Sequence, residues 1–411
     1  MTSYSTAPSA PFAPLSVMPA WQRLLVTLAV VCIYRLGCHI PLPGVDPAAL
    51  ESFARLDRIR SLTAETISIF ALGVIPIFSA LMLVEGSKLI VPPFGRWAER
   101  DRYNTGRTNR AVRFIALLIA AFQGWGLARA LTHVPGLVPE PGWMFGLTTA
   151  ATFIAATVLL GWLGDQVTRL GFGNGFWILL LTPALLQLPE TAGSTITLLQ
   201  DRQISPGGLA IALGFIVLAI ALLATLAIAR TRDEAHAPAV MQSQDLPSRL
   251  PGSAPGGLPP NLVVTTPKRD RPETYLPKPP GRDLIDVWPV LLGTYFGGLL
   301  LAFLIMFEHG DHSAMLIGGV VRLPVIAAFI AFFSFLRTLS QPSANRRLIW
   351  MIAAVQIVTC AGSELLMRHL DLPFAINGPW IIVAVAVAMS ALVSNAAGMP
   401  VEESPQTSVA R

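Results

Sequence analysis

The chain has 411 residues, 53% of them in the AVILMFWYC set and only 13% charged, against about 25% charged in soluble domains. With a mean hydropathy of +0.60, this excludes a soluble globular domain and indicates an integral membrane protein, whose spans are helices because a helix satisfies its own backbone in lipid. The net charge of +5 is read as a mark of cytoplasmic loops, not of a nucleic-acid partner.

Residues 1–20 are rich in Ser, Pro and Ala and are expected to form a disordered tail. Ten apolar runs follow, at 24–39, 66–91, 112–131, 145–163, 176–188, 207–229, 284–307, 323–339, 348–366 and 372–396. A perpendicular helix needs about 20 residues to cross, so the first, fifth and eighth runs are short. Six spans occupy residues 21–229, and four occupy 284–397. Between them, 230–283 is a linker punctuated by prolines from Pro238 to Pro280, which is expected to be extended or disordered. Residues 398–411 are a tail.

Orientation follows from Lys and Arg. The second connection carries Arg96, Arg100, Arg102, Arg107, Arg110 and Arg113, and the 230–283 linker is also basic. The third connection, 132–143, has neither Lys nor Arg. Even-numbered connections and both termini are therefore expected on the cytoplasmic side. Five spans per half place the second half upside down relative to the first, and a pathway is expected where the halves meet. The second span reads Val74-Ile75-Pro76-Ile77-Phe78 and the seventh Val287-Trp288-Pro289-Val290-Leu291. A proline within either helix would bend it.

No catalytic constellation stands out, and no metal or cofactor is expected. His309, Asp311 and His312 read as a solvated loop, and Glu85 and Lys88 as a local i,i+3 ion pair. Cys32, Cys38 and Cys360 form no metal-binding or disulfide pattern. A proton relay would require several acids or histidines deep in the spans, which leaves an ion-coupled transporter poorly supported.

One stretch organises the chain: Trp162 to Gly175, WLGDQVTRLGFGNG. It is expected to leave one span, turn through a charged loop at 165–169, and re-enter at the glycines, whose backbones adopt angles other residues resist. This stretch closely resembles the turn between the fourth and fifth spans of the SecY family, the channel subunits of the protein translocase. YRLGCHIPLPGVDP at 34–47, SIFALGVIP at 68–76, TYLP at 274–277 and LPFAING at 372–378 resemble other parts of that family, in order. The resemblance runs from Trp21 to Asn395, apart from the linker and some loops.

The resemblance implies an all-α integral membrane protein with ten transmembrane helices, arranged as two inverted five-helix halves in a clamshell. It implies polypeptide passage through an hourglass pore, or sideways between the second and seventh spans, where Pro76 and Pro289 would bend the gate helices. The ring sealing the waist maps onto Val74, Phe78, Leu180, Ala184, Leu291 and Val383. A SecE-like small subunit and a SecG-like subunit are the implied partners, in a bacterial cytoplasmic membrane. Two departures stand out. The place of the family's plug, 56–65, is charged and lacks glycine. The eighth connection is only 341–345, and the sixth lacks the family's basic hairpin, so binding of SecA or ribosomes is expected to be weak or absent. The rival readings are an inverted-repeat transporter and a non-conducting scaffold descended from the family.

Overall fold

A computed structural model describes residues 19–50, 67–100, 102–236, 287–307, 321–340, 346–370 and 378–397. Eleven helices lie among them: α1 (Ala20–Gly37), α2 (Ile75–Ile90), α3 (Pro92–Arg100), α4 (Arg102–Thr132), α5 (Trp143–Leu170), α6 (Gly175–Gln200), α7 (Pro206–His236), α8 (Trp288–Phe307), α9 (Arg322–Ser340), α10 (Arg346–Leu370) and α11 (Gly378–Ala397). All but α3 coincide with the ten apolar runs. Among the described residues, α4, α5, α7, α8, α9 and α10 are long and apolar enough to cross a membrane, and α2 with α3 makes a seventh if that bent pair is one span. Residues 230–236, expected in the linker, are the last turns of α7. The plug position, linker residues 237–283, the His309–His312 loop and the eighth connection lie outside the described residues.

Several helices run beyond their apolar runs. Residues Asp165 to Arg169, expected as a loop, are the last turns of α5, and only Gly171 to Asn174 separate it from α6. Polar side chains there are compatible with helix because the end of a span reaches past the hydrocarbon. Likewise α6, with Pro183 and Pro189 inside it, continues past Leu188 to Gln200.

Pro76 was expected to bend a helix, but it stands in the first turn of α2. Its missing N–H is not needed at that position, and its fixed φ suits a helix start. Before it, residues 67–74 form turns that bond locally, with Gly73 N–H on Phe70 O (2.8 Å) and Ile75 N–H on Leu72 O (3.1 Å). Gly73 has φ +51°, which a side chain would resist. Ile77 lies against Gly161, well inside the 28 residues of α5, so α2 begins part-way along the bundle. Pro289 is likewise the second residue of α8. The two prolines start their helices, and neither kinks one.

Between helices in lipid, close packing replaces the hydrophobic effect, and small residues permit it. A Cβ on Gly293 of α8 would stand 2.6 Å from Ile330 Cγ1 and 2.7 Å from its backbone nitrogen, so α8 and α9 touch backbone to backbone. A Cβ on Gly297 would lie 3.5 Å from Ile326 Cα, an ordinary contact, and the order of the two contacts sets the pair antiparallel. Trp177 is fully buried, edge-on to Trp288 at 6.3 Å, and joins α6 to α8. Buried hydroxyls bond back along their own helix, as Thr157 does to Phe153 O (2.7 Å) and Ser334 to Ile330 O (2.8 Å). A second core closes the end of the bundle remote from the α5–α6 turn. There Leu42, Val45, Leu137 and Phe145 pack together, and Asp46 N–H bonds Leu137 O at 3.0 Å.

Candidate functional site: the waist and the turn beneath it

The α5–α6 turn is built by its glycines and one threonine. A Cβ on Gly175 would meet Gly164 O at 2.1 Å, so only glycine lets α6 start against the end of α5. Gly173 has φ +65°. Thr168 Oγ1 accepts from Gly175 N–H (2.9 Å) and donates to Gly164 O (2.9 Å). Asn174 caps α6, its side-chain oxygen accepting from Phe176 N–H at 3.1 Å. α1 then clamps the turn. Arg23 Nε donates to Gly171 O (3.0 Å), Thr27 Oγ1 accepts from Phe172 N–H (3.0 Å), and the Arg23 guanidinium lies 5.2 Å from the Phe172 ring centre.

Above this base lies a cavity of about 480 Å³, walled by both parts of the chain. Four of the six ring candidates line it: Phe78 from α2, Leu180 from α6, Leu291 from α8 and Val383 from α11. Leu180, Leu291 and Val383 are buried, at 6%, 4% and 1% exposure, while Phe78 is half-buried. Val74 is buried too but lines a different cavity, and Ala184 belongs to neither. Val74 precedes the first turn of α2 and Phe78 lies one turn on, so one helix start presents a residue to each cavity.

Residues outside the ring also line the waist. Ser79, Thr294 and Tyr295 add hydroxyls, and Ile330 and Trp380 add apolar area. At the far end Arg322 and Glu364 pair at 3.5 Å, and Arg368 also contacts Glu364. The cavity is therefore mainly apolar, with its charged groups at one end.

The basic surface follows α2. The chain turns by 116° at Val91 into α3, an amphipathic helix on which Phe94 and Trp97 stack at 5.9 Å. Arg96, Arg107, Arg110 and Arg113 are exposed along α3 and the start of α4. Arg107 lies 5.6 Å over the Trp97 ring, and Arg113 reaches Asp165 of α5 at 3.3 Å. Arg100 ends α3 and Arg102 begins α4. The expected Glu85–Lys88 pair is formed.

Residues 68–345 match the family model of SecY. The chain belongs to the SecY family. The protein translocase subunit SecY of Escherichia coli is 31% identical over 196 residues, which covers 44% of this chain and 43% of that protein. That of Rickettsia felis is 29% identical over 211 residues, covering 48% and 49%. The aligned part thus spans about half the length of these curated relatives or less. A solved protein-conducting channel superposes with a TM-score of 0.51 at 10% identity, covering 94% of this chain and 95% of its own. A SecY structure concerned with the plug domain and the membrane seal gives the same values. At that identity the likeness is one of fold, and the fold is the all-α SecY clamshell.

The starts of α2 and α8 carry similar stretches, Val74 standing where Val287 does, Pro76 where Pro289 does, and Phe78 where Leu291 does. Each start closes the same way, Phe78 N–H on Val74 O (2.9 Å) and Leu291 N–H on Val287 O (3.0 Å).

Proposed function

We propose that this chain is a protein-conducting channel subunit, through which unfolded polypeptide crosses, or enters, a bacterial cytoplasmic membrane. The observation carrying this reading is the waist cavity, to which α2 and α6 of one half and α8 and α11 of the other each contribute one apolar ring residue. Such a constriction excludes water and ions while offering no fixed charge to a passing chain. The charged groups of the cavity, Arg322 and Glu364, are paired at one end of it, which disfavours an ion-coupled transporter.

Polypeptide crosses through the waist, or leaves sideways by separation of the α2–α8 seam. A SecE-like subunit braces the halves from outside, with a SecG-like subunit as a second partner. The basic second connection faces the cytoplasm, as do both ends. SecA and ribosomes bind weakly, because the short eighth connection leaves no protruding hairpin to grip. The test is to co-express the chain with the SecE-like subunit of its own host and reconstitute the complex in proteoliposomes. Protease-protected import of an unfolded secretory precursor, blocked by a folded domain fused to it, is the expected result. A sealed complex that never protects the precursor would leave the scaffold reading standing.

A further inference from the structure

Leu179 and Leu180 are neighbours on α6, yet Leu180 lines the waist and Leu179 lines a second cavity of about 350 Å³. This second cavity lies between α2, α4, α5 and α6. Its inner wall is mainly apolar, with Val74, Ala116, Leu160, Phe176 and Leu179 all buried, and the hydroxyls of Thr157 and Thr168 that also line it donate to Phe153 O and Gly164 O of their own helix. Its rim carries Val158 and Trp162, each 55% exposed on the outer face of α5. At one end stand Arg113 and Asp165, 3.3 Å apart, with the Arg113 side chain 54% exposed and Arg110 exposed one turn before it.

We propose that this cavity holds one acyl chain of an anionic bilayer phospholipid, whose phosphate rests on Arg113. The volume is within the roughly 300–1,000 Å³ of ordinary ligand sites. The apolar wall offers a water too few partners to hold it. The mouth opens on the lipid-facing side, where a tryptophan sits naturally at headgroup level. The polar end is net basic: Asp165 engages one nitrogen of Arg113, Arg110 stands beside it, and Arg169 also acts on Asp165. Anionic lipid is therefore favoured over zwitterionic. The inner wall is also the back of the waist, since Val74 and Leu179 adjoin Phe78 and Leu180. A bound acyl chain props that partition and holds the waist narrow. The inference stands on this cavity and does not depend on polypeptide passing through the other one.

The test places the full chain in nanodiscs with phosphatidylglycerol or phosphatidylcholine carrying an acyl-chain diazirine, and maps crosslinks by mass spectrometry. The phosphatidylglycerol probe should label the inner-wall residues Ala116, Leu117, Thr157, Leu160 and Gly161 more strongly than the phosphatidylcholine probe. Arg113→Gln should cut that labelling about fivefold, the worth of one basic residue against an anionic surface, and leave phosphatidylcholine labelling unchanged. Gly161→Phe should fill the cavity and lower inner-wall labelling by both probes, while labelling at Phe122, 81% exposed, stays constant. Val158→Trp, at the lipid-exposed rim, narrows the mouth and should do the same if the Gly161 variant fails to fold. Equal labelling by both probes, insensitive to Arg113→Gln, would overturn the anionic headgroup. Labelling confined to outward residues and unchanged in both cavity variants would mean boundary lipid, and would overturn the site.

Discussion

Phe78 of α2 and Tyr295 of α8 meet edge to face, ring centres 5.9 Å apart at 82°. Both line the larger cavity, so one ring contact joins α2 to α8 at its wall. Further along the seam Gly86 lets Phe296 approach: a Cβ there would stand 2.8 Å from its ring. Tyr295 and Phe296 are themselves edge to face at 5.4 Å, and Phe296 leans on Phe333 of α9 at 5.6 Å. The seam is thus closed by aromatic rings on the α8 side and by Phe78 and a glycine on the α2 side.

Phe78→Gly removes that ring from the waist and from the seam. An aromatic pair contributes about 0.5–1.5 kcal/mol beyond its buried area. The variant should raise ion conductance of the resting channel in planar bilayers, with Leu180 and Leu291 still in place. Conductance equal to the parent protein would remove Phe78 from the gate.

Gly175 tests the turn. Gly175→Ala would drive a methyl against Gly164 O, backbone that cannot step aside, and overpacking of this kind costs about 1–3 kcal/mol. Gly193, on the same helix, has nothing within 4 Å of its would-be Cβ. Gly193→Ala should instead be neutral or stabilise by up to about 1 kcal/mol through helix propensity. Thermal unfolding in mild detergent should lower the midpoint for the first variant only. Equal midpoints would mean that α5 and α6 are not held this closely.

Orientation is tested by reporters. Fusions after Arg232 and after Pro139 should report opposite sides of the membrane, the first cytoplasmic, because the arginine-rich connections stay inside. Matching signals from both would reverse or break the ten-span arrangement.

Much of this was legible in the sequence because it rests on backbone chemistry. Gly171, Gly173, Asn174 and Gly175 mark a tight turn by residue type alone, and the apolar runs mark the helices. Helix ends were less legible: Asp165 and Arg169 read as loop because polarity reports leaving lipid, not leaving helix. The lining of the larger cavity was legible in part. Phe78, Leu180, Leu291 and Val383 come together, but which cavity Val74 faces depends on where α2 begins, and that is decided by turns at 67–74 that no periodicity reveals. The Arg322–Glu364 contact joins two helices whose relative position follows only from packing.

The central claim is that polypeptide passes through the waist, and a photocrosslinker placed at Leu180 tests it most directly. A secretory precursor stalled during translocation should crosslink to Leu180 and not to Phe122, which is 81% exposed on the outside of α4. Crosslinking from Phe122 with none from Leu180, in a complex that holds the stalled chain, would contradict passage through this cavity.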